Sequence, residues 1–213
     1  MSTLKNMTIS TKNNKITLRE LENFTGKMFF TSDTHFGSQR TLELSKRPFT
    51  SVEEMDEEMV KRWNSVVGPD DVVVHLGDFG KFDIRKRLNG KLILIQGNYE
   101  EEMKNEAVLE ALNPTDAYIV GDGDQHAFID FNHAGCVYNL THRPVDCYMS
   151  DLLSHDYSKY FSLFGHIHGR QFIKKFGIDV GVDCNHFYPI DWERVEFFQN
   201  AIVKGYYDEN VFC

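Results

Sequence analysis

The chain has 213 residues, of which 41% are hydrophobic and 26% are charged, and its formal net charge at pH 7 is −9. This balance is typical of a globular protein with a substantial core, and the acidic excess disfavours a broad surface for duplex nucleic acid, which requires a basic face. The polar beginning lacks the apolar stretch of a secretory signal, and no apolar run approaches membrane-spanning length. We therefore expect a cytoplasmic protein that does not act at a membrane.

The sequence contains no internal repeat and no linker rich in Pro, Gly or Ser, which predicts a single domain over residues 1–213. Residues 7–18 alternate around Lys12-Asn13-Asn14 and predict a β-hairpin, so residues 1–23 are interpreted as an N-terminal hairpin extension. The cysteines form no C-x-x-C pair, which favours reduced thiols, with two disulfides as the alternative. They are Cys136, Cys147, Cys184 and Cys213.

Residues 27–32 predict the first core strand, and residues 51–67 predict the clearest helix. The apolar positions of this helix follow helical spacing and are Val52, Met55, Met59, Val60, Trp63 and Val67. Ser51 and Glu54 form a capping-box pattern at its start, and Gly68-Pro69 ends it. The acidic run 53–58 is interpreted as the solvated face of the helix.

Continuous apolar runs at residues 72–76 and 92–96 predict buried strands, and residues 100–112 predict a second helix that ends at Asn113-Pro114. From residue 117 onward strand patterns dominate, in the segments AYIV, AFIDF, CVYNL, YFSLF, IDVGV and VEFFQNAIVKGYY. Helices in the first half and strands in the second predict a mixed sandwich of helices and sheets.

Potential metal ligands follow several of these strands. Ligands at the carboxyl ends of strands meet at one rim of a sheet, where open α/β sheets place their sites. The set of aspartate, asparagine and histidine suits a pair of Mn, Fe, Ni or Zn ions. Any one motif alone would favour an ordinary turn residue, whereas all of them in order favour a metal site. The motifs are Asp33-Thr34-His35, Gly77-Asp78, Gly97-Asn98, Thr141-His142 and Gly165-His166-Ile167-His168.

In this order, D-x-H, G-D, G-N, a lone H and G-H-x-H resemble the calcineurin-like metallophosphoesterases, and residues 31–79 resemble the small bacterial and phage members of that family. The resemblance implies an α+β/α/β fold, a four-layer αββα sandwich of two mixed β-sheets flanked by helices. It implies that one metal ion is bound by Asp33, His35, Asp78 and His168. It implies that the other ion is bound by Asp78, Asn98, His142 and His166.

The implied cofactor is a pair of divalent ions, manganese first, with iron, nickel, zinc or magnesium as alternatives. The implied reaction is attack of a metal-bridging hydroxide on phosphorus, in a bacterial or phage-infected cell. The expected substrate is a small phosphate ester, such as a phosphodiester or cyclic nucleotide. The oligomeric state stays open. The glycines before the ligands, Gly77, Gly97 and Gly165, are expected to bring backbone close to the site.

One position departs from the family pattern, in which Gly-Asn is followed by a histidine that contacts phosphate and protonates the leaving group. Here Tyr99 follows Asn98. An ordinary phenol is a weak proton donor near neutral pH. Hydrolysis of alkyl monoesters should therefore be slowed most, and hydrolysis of aryl diesters, cyclic diesters or pyrophosphates should be slowed least. Another group donating the proton is the alternative. The expected catalytic residues are Asp78, Asn98, Tyr99 and Arg143. Arg143 is the first candidate to bind a phosphate oxygen, and Arg40 and Arg170 are weaker candidates.

The sequence is less consistent with three other functions. A scaffold of the same fold without catalysis is favoured by Tyr99 but disfavoured by the intact ligand set. A nuclease is disfavoured by the acidic balance. A metallo-β-lactamase is disfavoured because H-x-H-x-D-H is absent. His75 is interpreted as a core histidine, and four other histidines have no supporting pattern: His126, His133, His155 and His186.

Overall fold

The structure is a computed structural model that describes residues 8–10, 26–121, 126–144, 156 and 158–206. Four parallel strands form the centre of a six-stranded sheet: β2 (Met28–Thr31), β3 (Val72–His75), β4 (Lys91–Ile95) and β5 (Ala117–Val120). Antiparallel strands close its two edges, β1 (Thr8–Ser10) beside β5 and β11 (Ile190–Asp191) beside β2. The continuous apolar runs of the central strands fit this position, because strands in the middle of such a sheet are buried on both faces.

The second sheet has five strands in the order β6-β7-β8-β10-β9. Their bounds are β6 (Phe128–His133), β7 (Cys136–Thr141), β8 (Tyr160–Phe164), β9 (Ile173–Lys174) and β10 (Gly177–Asp179). The three central strands of this sheet run parallel, and the two edge pairs are antiparallel. Both sheets are therefore mixed.

The helices are α1 (Gln39–Leu44), α2 (Val52–Val66), a 3-10 helix (Phe82–Arg87), α3 (Asn98–Glu101), α4 (Asn105–Ala111) and α5 (Trp192–Val203). Helix α2 begins where predicted, because the Ser51 side chain accepts a hydrogen bond from the Glu54 backbone N–H. Among the described residues, no helix is both long and apolar enough to cross a membrane.

Two apolar cores lie on opposite faces of the six-stranded sheet. Phe30 and Val74 point to one face and pack with Leu140 and Leu163 of the second sheet. On the other face, strand residues pack with Met55, Met59 and Trp63 of α2 and with Val108 of α4. The alternation of the two faces follows from the two-residue repeat of a strand. The fold is thus an α/β fold of two mixed sheets flanked by helices.

The structure corrects three predictions of secondary structure. The final apolar segment is helix α5 rather than a strand. Asp191 caps it, and its buried residues Val195, Phe198 and Ala201 follow helical spacing. The predicted helix 100–112 is two short helices, α3 and α4. Within the acidic run 53–58, Asp56 is buried and accepts a hydrogen bond from the Gly37 N–H.

Most of the predicted N-terminal hairpin, including its turn at residues 12–14, lies outside the described residues. Residues 8–10 belong to it and form β1, which pairs with β5. His75 is fully buried, as predicted for a core histidine. Its Nε2 lies 2.9 Å from Thr34 Oγ1, and its Nδ1 accepts a hydrogen bond from the Gly77 N–H.

Candidate metal centre

The predicted ligands follow β2, β3, β4, β7 and β8, and backbone hydrogen bonds join the loops that carry them. The Asp33 N–H donates to Gly77 O at 3.0 Å, and the His35 N–H donates to Asp78 O at 3.0 Å. The Gly165 N–H donates to His142 O at 2.9 Å. Ser32 and Gly181 form an isolated bridge that connects the two sheets. The strand ends of both sheets therefore meet at one site, whereas the sequence predicted convergence at one rim of a single sheet.

Glycines permit this close approach. A Cβ at Gly165 would overlap Ser32 Oγ and Asp33 Oδ2, and a Cβ at Gly97 would lie 2.6 Å from Asp78 N. At Gly77 the backbone is left-handed, with φ +98°, and a Cβ would lie 2.6 Å from the Cα of Gly97. A side chain at any of the three positions would push the ligand loops apart.

The ligand residues themselves carry unusual backbone geometry. Non-glycine residues rarely adopt positive φ, and such conformations cluster at functional sites. Here φ is 56° at Asp33, 46° at His35, 59° at Asp78, 72° at His166 and 49° at His168. The left-handed turns direct consecutive side chains toward a common point directly after each strand.

Ligand atoms approach one another at distances that suit a metal ion. Asp33 Oδ1 lies 3.9 Å from His35 Nε2 and 3.8 Å from His168 Nε2. Asp78 Oδ2 lies 3.4 Å from His35 Nε2 and 3.6 Å from His142 Nε2, and His142 Nε2 lies 3.2 Å from His166 Nδ1. Two ligands of one ion, each about 2.1 Å away, are separated by about 3.0 Å at a right angle and by up to about 4.2 Å when they lie opposite each other. The atoms of Asp33, His35 and His168, and those of Asp33, Asp78 and His142, each lie within 4.8 Å of one another.

Several of these atoms lack a hydrogen-bond partner although they are buried. Within the described part of the chain, they are Asp33 Oδ1, both ring nitrogens of His35 and Asn98 Oδ1. A buried polar atom without a partner is costly, and bound cations would satisfy Asp33 Oδ1, Asn98 Oδ1 and one ring nitrogen of His35. The buried Asp/His groups could therefore bind a metal ion.

The electrostatics lead to the same conclusion. Burial, followed by the charges of Asp179 and Asp78, raises the pKa of Asp33 to about 8. Burial and the charge of Glu100 raise the pKa of Asp78 to about 7. Burial lowers the pKa of His35 to about 2, and burial together with His166 lowers the pKa of His142 to about 3. A bound cation stabilises neutral imidazoles and the ionised form of carboxyl groups whose charge is otherwise opposed by burial.

Two supporting contacts fix the ligands on the side of β3 and β4. The Glu100 carboxylate accepts hydrogen bonds from the backbone N–H groups of Asp78, Phe79 and Gly97, each at 2.9 Å. His142 Nδ1 lies 2.8 Å from Leu76 O, so this nitrogen donates and Nε2 is left with its lone pair. The sequence analysis did not identify this role of Glu100. Its position two residues after Asn98 was the feature that could have indicated it.

A buried ion pair supports the ligands on the opposite side. Arg47 and Asp183 are bidentate partners, at 2.9 Å for both nitrogen–oxygen contacts. Asp183 Oδ2 also lies 2.8 Å from His168 Nδ1. Burial raises the pKa of Asp183, but the hydrogen bonds from His168 and Arg47 outweigh it and hold this pKa below its usual range. Sequence reasoning missed both residues because 136 positions separate them.

Tyr99 lies at the site, as predicted. Its backbone N–H donates to Asp78 Oδ1 at 2.9 Å, and its ring meets the His35 ring edge-on with centroids 4.4 Å apart. Arg143 instead pairs with Glu101 at 3.0 Å and contacts the His126 ring, so its guanidinium is already engaged. Arg40 and Arg170 are exposed.

No model of a protein family matches the chain. The chain is similar to an uncharacterized protein of Methanocaldococcus jannaschii, with 36% identity over 92 residues, which cover 39% of this chain and 52% of that protein. It is also similar to the gene 66 protein of Mycobacterium phage L5, with 36% identity over 81 residues, which cover 34% of this chain and 39% of that protein. The matched region thus spans about half or less of these curated relatives.

One solved structure shares the fold. It is the crystal structure of a protein of unknown function from Aquifex aeolicus, with a TM-score of 0.59 and 22% sequence identity. The match covers 81% of this chain and 99% of that chain. At this identity the likeness concerns the arrangement of sheets and helices.

Proposed function

We propose that this protein is a metal-dependent phosphohydrolase of the calcineurin-like metallophosphoesterase type, and that its sheets and helices form the four-layer αββα sandwich of that family. The observation that carries the proposal is the convergence of six ligand-type side chains from both sheets, together with buried polar atoms, Asn98 Oδ1 among them, that have no protein partner. Local strain at five of these residues supports a functional rather than structural role.

In this proposal Asp33, His35, Asp78 and His168 hold one divalent ion, and Asp78, Asn98, His142 and His166 hold the other. The shared position of Asp78 is supported by its Oδ2, which lies 3.4 Å from His35 Nε2 and 3.6 Å from His142 Nε2. Bound divalent ions would acidify a water molecule and neutralise charge on a phosphate group. The mixed set of oxygen and nitrogen ligands is compatible with manganese, iron, nickel or zinc, and the family resemblance makes manganese the first candidate.

The chain's own residues then orient the site. The Tyr99 N–H donates a hydrogen bond to Asp78 Oδ1, and the other oxygen, Oδ2, lies between His35 and His142. The Tyr99 ring packs against His35 and occupies the place where the family carries a histidine. Since a phenol is a weak proton donor, substrates whose leaving groups need little protonation are favoured. We therefore propose small phosphodiesters, including cyclic nucleotides, as the substrate class.

The test is turnover after chelation and return of Mn²⁺, on an aryl phosphodiester, an aryl phosphomonoester and a cyclic nucleotide. His142→Gln should lose both bound metal and Mn-dependent turnover. His133→Gln is the matched control, because His133 lies on β6 and contacts Glu196 at 3.4 Å instead of the site. A protein that binds metal but turns over none of these substrates would support the binding-scaffold alternative, and a protein that binds no metal would overturn the proposal.

A further inference from the structure

One buried guanidinium links the ligand loops of the two sheets. Arg47 lies after α1, and its side chain is fully buried. Nη1 donates to Thr34 O at 2.8 Å, and Nη2 donates to Asp33 O at 2.6 Å. The same group holds Asp183, in the loop after β10, through Nε and Nη2. Arg47 therefore fixes the backbone of the first ligand loop from one side and a carboxylate of the second sheet from the other.

The planar guanidinium is suited to this task because its donors point in fixed directions. The two carbonyls that it contacts flank the left-handed turn from Asp33, with φ 56°, to His35, with φ 46°. Hydrogen bonds from a buried cation to these carbonyls offset the unfavourable backbone conformation. A lysine could supply the charge but could not reach the carboxylate and both carbonyls together.

Asp183 determines which nitrogen of His168 is available. Its Oδ2 accepts from His168 Nδ1 at 2.8 Å, and Ser45 Oγ is a more distant neighbour of the same nitrogen at 3.3 Å. An imidazole that donates from Nδ1 keeps the lone pair of Nε2, which here faces Asp33 Oδ1 at 3.8 Å. Carboxylates that accept from a ligating histidine in this way fix both its ring orientation and its tautomer.

The other half of the site has separate support. His142 is oriented by the Leu76 carbonyl, and the loop of Asp78 is held by Glu100. No contact of Arg47 or Asp183 with His142 or Asn98 occurs among the described residues. Arg47 and Asp183 therefore act directly on the first position, and the second is linked to it through the shared Asp78 and through the His166 N–H, which donates to Asp33 Oδ2 at 2.8 Å.

We propose that Arg47 and Asp183 are positioning residues that set the affinity of one metal position, the one that contains Asp33, His35 and His168. This inference rests on the proposed function, because it assumes that this position and the one that contains His142 and His166 both take up metal. Loss of the Asp183 carboxylate should weaken the first position by about 10–100-fold, the usual effect of removing such an outer contact. The second position should keep its affinity.

Asp183→Asn is the sharpest variant, because an amide cannot replace this carboxylate in either orientation. An NH₂ group at the place of Oδ1 would face the Nε–H of Arg47. An NH₂ group at the place of Oδ2 would face Nη2 of Arg47 and would donate to His168 Nδ1, which moves the proton of the ring to Nε2. Arg47→Lys is the second variant, and it should weaken the same position by a smaller factor.

The matched control is Asp116→Asn. Asp116 forms a bidentate pair with Arg85 that is at least as buried, at 2.8 and 2.7 Å, and also accepts from the Leu92 N–H. This pair contacts none of the predicted ligands among the described residues. Any loss of stability from breaking a buried ion pair is therefore reproduced in the control, while the proposed effect on metal is not.

Mn²⁺ equivalents and affinities would be measured by calorimetry on the full chain, with ¹⁵N NMR of the histidine rings in the metal-free protein. We expect two equivalents in the wild type and in Asp116→Asn, one weakened equivalent in Asp183→Asn, and a shift of the His168 ring ¹⁵N signals only in Asp183→Asn, because either orientation of the amide removes the charged acceptor of Nδ1. Equal weakening of both positions, an equal effect in Asp116→Asn or unchanged His168 ring signals would each overturn the inference alone. A wild type that takes up no metal would overturn the proposed function and the inference with it.

Discussion

Metal affinity at the candidate centre should rise steeply with pH, because the two aspartates must lose their protons before they can bind a cation. Asp33 has a pKa of about 8 and Asp78 has a pKa of about 7 in the metal-free protein. Below these values a metal ion competes with protons, and each bound proton lowers the apparent affinity. The histidines His35 and His142, with pKa values of about 2 and 3, are already neutral and do not compete in this range.

The magnitude follows from these values. With both carboxyls treated as independent competitors, the apparent affinity rises by a factor on the order of 100 between about pH 6.5 and about pH 8.5. Binding at about pH 6.5 should release roughly two protons, and binding at about pH 8.5 should release fewer than one. The pKa of His168 is raised, because its hydrogen bond to Asp183 and the charges of Asp33 and Asp183 outweigh burial, so its proton adds to the same trend.

The assay is a titration of Mn²⁺ into the chelated protein at several pH values, corrected for hydrolysis of the metal and for buffer ions. Calorimetry in pairs of buffers with different ionisation enthalpies counts the released protons. Asp33→Asn provides the assignment, because it should remove about one proton from the count at about pH 6.5 while Asp78 still titrates. A flat affinity across this range, or no proton release at the lower pH, would refute the reasoning that these carboxyls are protonated ligands.

Three further outcomes are expected. Asp78→Ala should lose both metal equivalents in elemental analysis, because Asp78 Oδ2 faces histidines of both metal positions. Asn98→Ala should weaken only one position. Two retained equivalents in Asp78→Ala would rule out a shared ligand. Trp63→Ala should lower the free energy of unfolding, measured in urea, by about 3–5 kcal/mol, because Trp63 is 2% exposed and its indole N–H donates to Asn89 O. Val66→Ala, on the exposed face of the same helix, should change this free energy little. Equal effects of the two substitutions would contradict the assigned core face. Tyr99→His should raise phosphomonoester turnover relative to aryl diester turnover, up to the 10²–10⁴-fold typical of general-acid help, and an unchanged ratio at full metal occupancy would place the proton donor elsewhere.

The residues of the candidate site could be predicted from the sequence because each motif is local. A strand followed at once by an aspartate or histidine is visible in a few consecutive residues, as in the runs before Asp33 and His166. Within each sheet the parallel strands bring these ends to one rim, and the packing of the two sheets brings the two rims together. The central strands and helix α2 were predictable for the same reason, because their apolar repeats and the Ser51 cap are short-range signals.

Helix α5 shows where local reasoning failed. Its segment is rich in aromatic and branched residues, which favour strands, and this preference concealed the helical spacing of Val195 and Phe198. Propensity is a weak signal that packing can override, and the decisive feature was the Asp191 cap. The break between α3 and α4 is a similar case, because α3 is only one turn long and is fixed by the contacts of Glu100.

The residues that support the ligands are hidden from sequence reasoning for a deeper reason. Arg47 and Asp183 belong to no sequence motif. They interact only because the fold places the loop after α1 against the loop after β10. Ligand identity is therefore encoded locally, whereas ligand orientation is encoded by tertiary contacts. The left-handed backbone at Asp33 and His35 connects the two levels, because this conformation is unfavourable in isolation and is held by the hydrogen bonds from Arg47 to the neighbouring carbonyls.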